Sequence, residues 1–189
     1  KIDNISANIK QLLSKKSFKI RQFSRVIGLL ISVCPSTRYG YMHVKGLERQ
    51  KYLALKENDY DFNKRMALNH TIVLELRWWI SNLYTTSNSI LPPKYNVEIF
   101  SDASRTGWGV VAGEERAHGF WNHHDMSRHI NYLELKASFI GLKCFVKNRQ
   151  NINVLLRIDN TTAIAYINKM GGVKHANLAT LSKDLWGLV

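Results

Sequence analysis

Val97-Glu-Ile-Phe-Ser-Asp-Ala-Ser104, Ile130-Asn-Tyr-Leu-Glu-Leu-Lys-Ala137 and Val154-Leu-Leu-Arg-Ile-Asp-Asn-Thr-Thr162 decide how the chain is read. The first and third are apolar runs of β type that turn polar at an Asp, and the second has the spacing of a helix carrying a Glu in its first turns. Two strand ends and one helix start that converge bring Asp102, Glu134 and Asp159 to one place. Carboxylates gathered without a paired Arg or Lys repel one another unless a hard divalent cation sits between them. The three acids are therefore candidate ligands of a Mg²⁺ site.

Around these stretches the hydrophobic period is that of strands. Val97 and Ile99, then Trp108, Val110 and Ala112, predict two antiparallel strands joined around Ser104-Arg-Thr-Gly107, and Ala117 to Trp121 predicts a third. His123 to His129 reads as a polar loop before a helix over 131–147, and Ile152 to Ile158 as a buried strand. Asn160 or Thr161 is placed to cap a short helix through Asn168, which Gly171-Gly172 closes, and a last helix starts near His175. The order βββαβα predicts an α/β fold in which helices pack on a mixed sheet.

Residues 1–94 read differently, as mainly helical. Ile9, Leu12 and Leu13 recur at helix spacing, and Ile20, Phe23, Ile27, Leu30 and Ile31 form a second stripe, with Ser17 placed to cap it and Pro35 just beyond its end. The opposite face carries Lys15, Lys16, Lys19, Arg21 and Arg25, spaced to follow a phosphate backbone, although any one of them is as readily a solvated surface residue. After the loop 35–40, helices are predicted over 41–58 and 65–84, the latter with Trp78 and Trp79 as packing groups. The polar segment Thr85 to Lys94, with Pro92-Pro93, marks the junction between a helical domain, 1–94, and a mixed domain, 95–189.

A formal charge of +13 points to a polyanionic partner such as nucleic acid. It is unevenly placed: residues 1–94 hold 16 Lys and Arg against 6 acids, residues 95–189 hold 11 against 8, so the first half carries most of the excess. Cys34 and Cys144, each beside apolar residues, lack metal-ligand spacing and read as reduced core thiols. No apolar run has the length of a membrane span and no signal peptide is visible, which places the expected location inside the cell. Without an initiator Met, the chain reads as part of something longer.

Taken together, Ser-Asp-Ala-Ser, Tyr-Leu-Glu-Leu-Lys-Ala and Arg-Ile-Asp-Asn-Thr-Thr-Ala resemble the first three acidic motifs of the ribonuclease H superfamily. The fuller text, Ser101-Asp-Ala-Ser-Arg-Thr-Gly-Trp-Gly109, His129-Ile-Asn-Tyr-Leu-Glu-Leu135 and Asp159-Asn-Thr-Thr-Ala-Ile-Ala-Tyr-Ile-Asn-Lys-Met-Gly-Gly172, resembles the reverse transcriptase polyproteins of DIRS-like retrotransposons. Ile27-Gly28, Tyr41-Met-His43 and Glu75-Leu-Arg-Trp-Trp-Ile80 resemble the segment after the polymerase palm in those polyproteins, so the resemblance spans nearly the whole chain.

The resemblance implies a thumb or connection segment followed by a ribonuclease H-like mixed sheet, with the polymerase domain of the same polyprotein as a partner. It also implies hydrolysis of the RNA strand of an RNA–DNA hybrid. Asp102, Glu134 and Asp159 would then be the catalytic residues and hold two Mg²⁺ ions, or Mn²⁺ in their place, with Asp102 shared between them. Ser104, Arg105, Asn160 and Thr161, beside the acids, would contact phosphates or 2′-hydroxyls. The family carries a fourth acid on a C-terminal helix after a further strand. This sequence ends before that element, and Asp184 reads as an exposed helix residue. The rival reading is a non-catalytic nucleic-acid-binding domain that keeps the fold. A transposase or integrase of the same fold is disfavoured, because its acids would be expected elsewhere.

Other groups near the acids have plainer readings. His118, His123, His124 and His129 fit no zinc spacing and are expected in loops or caps. Gly107, Gly109 and Gly113 are not followed by a Lys-Ser/Thr pair and are expected to serve turns and strand packing. Arg157, near Asp159 in the chain, is expected to be structural or at the surface rather than catalytic.

Overall fold

The computed structural model describes residues 1–89 and 91–188. The chain divides into two compact units, Lys1–Ile90 and Leu91–Val189, the division falling inside the polar Thr85–Lys94 segment. The whole is α/β, and no described helix is long and apolar enough to cross a membrane.

The first unit is built from α1 (Ile2–Leu13), β1 (Ser17–Lys19), α2 (Ile20–Ile31), a 3₁₀ turn (Cys34–Ser36), α3 (Gly40–Glu57), β2 (Arg65–Ala67) and α4 (His70–Asn82). Its core closes around Ile5, Ile9, Phe18, Phe23, Leu30, Leu47, Leu76 and Trp79, all fully buried. Of the expected stripe, Ile31 is exposed.

Between the two helical stripes expected near the start of the chain lies β1, and the helix expected to begin at Arg65 begins at His70, because residues 65–67 form β2. The two strands pair antiparallel, Phe18 opposite Met66, and these two alternate with exposed neighbours. Alternation over only three residues is too short a signal to displace the helical stripes on either side. Asn69 starts α4 by accepting the N–H of Ile72 at 3.0 Å.

Ser17 does not cap α2. It lies in β1, and Lys19 occupies the cap position with no side-chain bond. The first free N–H groups of α2 are met instead by a distant loop, Ile20 N–H by the Lys64 carbonyl at 2.9 Å and Arg21 N–H by that of Phe62 at 2.8 Å. Lys15, Lys16 and Lys19 accordingly do not share a helix face with Arg21 and Arg25: the first two lie in the turn before β1, the third ends it, and only the two arginines lie on α2.

Trp79 is fully buried and Trp78 stacks on His43, ring centroids 3.6 Å apart, while His43 Nδ1 meets Glu75 Oε2 at 2.6 Å. The segments around Tyr41 to His43 and Glu75 to Ile80 thus pack on each other.

In the second unit a four-stranded mixed sheet has the order β5-β4-β3-β6, from β3 (Val97–Ala103), β4 (Gly107–Ala112), β5 (Glu115–Phe120) and β6 (Val154–Arg157). β3, β4 and β5 form an antiparallel meander, and β6 joins β3 in parallel. Along β3 burial alternates, Ile99 and Ser101 inward, Glu98 and Phe100 outward. The inward side is covered by α6 (Ile130–Phe145), which carries Gly141 where a Cβ would stand 3.1 Å from Val110 and 3.2 Å from Ile99. α7 (Thr161–Asn168) and α8 (Ala176–Trp186) complete this layer through Ala163, Leu178, Leu181 and Leu185.

Smaller differences have local causes. The stretch read as a polar loop contains α5 (His123–Met126), capped by Asn122, whose side chain accepts the Asp125 N–H at 2.8 Å. β6 is shorter than expected and half-buried rather than buried, because it stands at the sheet edge with one pairing neighbour. Cys34 is buried, but Cys144 is exposed on the last turn of α6. Gly113 turns the β4–β5 hairpin with φ of +61°, and a Cβ on Gly107 would stand 2.5 Å from the Gly119 carbonyl oxygen.

Candidate metal centre

Asp102 is the penultimate residue of β3, and Asp159 follows β6 by two residues. The last paired rung of these parallel strands joins Phe100 to Arg157. Two residues further along each strand, Asp102 and Asp159 are level with each other as the strands end. Glu134 arrives from α6 one turn after its start. One carboxylate oxygen from each of the three lies within 4.8 Å of the others. The sheet topology thus assembles the set that the sequence separates by up to 57 positions.

Burial sorts the three. Asp102 and Asp159 are exposed, whereas Glu134 is 5% exposed and its Oε2 is buried with no hydrogen-bond partner. A buried carboxylate oxygen without a donor carries a desolvation cost that a protein group would normally offset. Among the described residues none of the three acids makes an ion pair. Lys136, two positions after Glu134, is held by buried Asp125 at 2.6 Å. Burial, then the charge of Asp102, then that of Asp159, pushes the Glu134 carboxyl up to about 7, with the Ala103 backbone N–H acting the other way. Burial is the larger cause, and the like charges of the two aspartates without a counter-ion add to it.

The donor set is entirely hard oxygen, two exposed carboxylates and one buried one, which suits Mg²⁺ or Mn²⁺ and suits zinc or copper poorly. The orphaned Oε2 of Glu134 is the independent sign that a cation fits here.

The surroundings are built for rigidity. Asp102 Oδ1 accepts its neighbour's N–H, from Ala103, at 2.9 Å. Ser138 Oγ donates to the Glu134 carbonyl at 3.1 Å and bonds Ser101 Oγ at 2.8 Å, tying α6 to β3 beneath the acids. Asn160 caps α7, its Oδ1 accepting the Ala163 N–H at 2.9 Å, while its Nδ2 donates to Asn131 Oδ1 at 3.0 Å. That second bond fixes the turn carrying Asp159 to the helix carrying Glu134. Asn131 was not among the residues singled out from sequence; it stands three positions before Glu134, on the same helix face.

The remaining candidates separate. Ser104 Oγ accepts the N–H groups of Thr106 at 3.2 Å and Gly107 at 3.1 Å, so it closes the β3–β4 turn. Arg105 and Thr161 are exposed next to the acids in sequence. Lys15, Lys19, Arg21 and Arg25 all belong to the first unit. Arg157 pairs with Glu98 at 2.6 Å, and Asp184 is exposed on α8 and outside the acid cluster. His129 starts α6 by accepting the Asn131 N–H at 3.2 Å, and His124 meets Arg128 at 2.7 Å.

No protein-family model matches the chain, and comparison with curated proteins gives no match. What the site defines is a class: a three-carboxylate, oxygen-donor centre at the carboxyl ends of neighbouring parallel strands.

Proposed function

We propose that the second unit is a ribonuclease H-type nuclease that hydrolyses the RNA strand of RNA–DNA hybrids with divalent metal. The observation that carries this reading is the convergence of Asp102, Glu134 and Asp159 to within 4.8 Å with no cationic partner. The mixed sheet with a helix across its inner face supports this reading, since the motif resemblance implies a mixed sheet flanked by helices. The excess of basic residues favours a polyanionic substrate.

Asp102, Glu134 and Asp159 would hold the ions. When bound, Mg²⁺ supplies Lewis acidity toward an attacking water and a departing 3′ oxygen. The chain's own residues supply order. The Asn131–Asn160 bond holds Asp159 against α6, the Ser101–Ser138 bond holds Asp102 and Glu134 in register, and exposure of the two aspartates leaves the centre open to a phosphodiester backbone. The Glu134 carboxyl, pushed up to about 7, would give up its proton on holding a cation. Arg105 and Thr161 are placed to meet flanking phosphates or 2′-hydroxyls.

The test is a hybrid duplex labelled on each strand, incubated with the chain and Mg²⁺ or Mn²⁺. Cleavage confined to the RNA strand is expected, falling at least about 100-fold in Asp102→Asn and in Asp159→Asn. A chain that binds hybrid and metal but leaves both strands intact with either ion overturns the enzyme reading, and the non-catalytic binding domain takes its place.

A further inference from the structure

The first unit contains a second concentration of like charge, opposite in sign to the metal centre. An open cleft of about 500 Å³ is lined by Lys15, Lys16, Lys19, Gln22 and Arg65, with Ser17 and Phe18 contributing to its lining. Its lining includes four cations and no acid, and among the described residues none of these cations makes an ion pair. Four positive groups facing one concavity repel one another, a cost that a bound polyanion relieves.

The cleft is ordered by the short ribbon. Lys19 pairs across from Arg65, so both side chains leave the same face, while Phe18 and Met66 anchor the other face in the core. Arg65 is held in place: its Nη2 donates to the Ser17 carbonyl at 2.7 Å and to Ser17 Oγ at 2.8 Å, and its Nε donates to Ser17 Oγ at 3.1 Å. These bonds leave the Nη1 amino group for a ligand, and a planar guanidinium fixed in advance loses little freedom on binding phosphate.

A second feature says what kind of anion. The loop that covers the start of α2 carries Tyr60, 59% exposed, and Phe62, 40% exposed. The Phe62 carbonyl accepts the Arg21 N–H and the Lys64 carbonyl that of Ile20, which sets the backbone of this loop against the start of α2, with Lys64 next to Arg65 in the chain. Cations that line a cleft and exposed rings in the loop set against the neighbouring helix start suit a chain of phosphates with unpaired bases; a single small anion has no use for the rings.

We infer that the β1–β2 cleft of the first unit binds the backbone of single-stranded nucleic acid, with Arg65 as its preordered phosphate ligand and the Tyr60–Phe62 loop as a stacking platform. This goes beyond the metal-dependent reading and does not rest on it, since cleft and acids belong to different units.

The experiment uses the full chain in EDTA, so that hydrolysis and metal are out of play, and follows anisotropy of a labelled single-stranded DNA across a series of salt concentrations. Lys16→Ala with Lys19→Ala, neither of which bonds the ribbon through its side chain, is expected to flatten the log–log salt slope by roughly 1.4, about 0.7 per lost phosphate contact. Arg65→Ala should lower affinity as well, and a thermal melt checks that the ribbon survives. Lys10→Ala with Lys56→Ala removes the same charge outside the cleft and should leave the slope near that of the unaltered chain. Equal slopes for the cleft pair and the unaltered chain overturn the inference, as does an equal loss from the outside pair. Cleft-dependent binding to phosphatidylserine vesicles with no change on the oligonucleotide would overturn it in favour of a lipid surface.

Discussion

Glu134 is where a single residue's environment has the widest consequences. Its carboxyl is raised from 4.5 to about 7 in the metal-free chain, so between these values the native state holds a proton that the unfolded chain has released. Native stability attributable to this group is therefore greatest in acid, declines as pH rises from about 4.5 to about 7, and is flat above. Glu134→Gln should abolish that decline, and Asp102→Asn should reduce it while raising metal-free stability at pH 8. Chemical denaturation at a series of pH values without metal reads both. Mg²⁺ should reverse the decline in the unaltered chain only, and its affinity should rise with pH through neutrality as the proton is displaced. A stability profile that is the same with and without Glu134 would dissociate this residue from the centre. The two thiols offer a separate check on burial. The Cys34 thiol is pushed up to about 12 by burial and then by the charge of Glu48, whereas Cys144 is exposed. One equivalent of a thiol reagent should label Cys144 in the folded chain, and Cys34 should react only on unfolding.

At the scale of elements, the helix starts connect fold to site. Asn160 both caps α7 and ties it to Asn131, so Asn160→Ala should cost about 1 kcal/mol from the cap alone and weaken Mg²⁺ binding by loosening Asp159. Asn160→Ser should restore most of the stability, as a cap, without restoring the bond to Asn131. A thermal melt and a metal titration on the two variants separate these effects. α2 behaves differently, because backbone carbonyls from the 58–64 loop serve where a side-chain cap was expected. A Ser within capping range was legible at position 17; the carbonyl of a residue more than forty positions away was not. The β1–β2 ribbon escaped notice for a related reason. Three residues of alternation between two strong helical stripes give no independent period, and the pairing that stabilises them is long-range.

For the whole molecule, two separate cores predict two units that open separately. Brief proteolysis should cut first within 85–94, and Mg²⁺ should raise the resistance of the fragment from the second unit while leaving the first unchanged. A single protected species with no early cut in that segment would contradict this.

Much of the second unit was legible in the sequence. Strand alternation around Val97 to Phe120, the helical spacing around Glu134 and the Asp at the end of each apolar run are local patterns, and local patterns fix where strands and helices fall and which residues end them. The three acids could be picked out for the same reason, since each terminates or opens an element. Their distance from one another could not be read there. It depends on β6 lying parallel beside β3, on the rung that sets Phe100 against Arg157, and on α6 crossing the inner face, all contacts between residues far apart in the chain. The raised Glu134 carboxyl and its orphaned oxygen follow from that packing, as does the meeting of Lys15, Lys16 and Lys19 with Arg65. The sequence by itself determined the charges and, in the second unit, the elements that carry them; tertiary structure decided the β1–β2 ribbon and which charges meet, because proximity across a sheet or ribbon comes from register and burial and leaves no periodic trace in the chain.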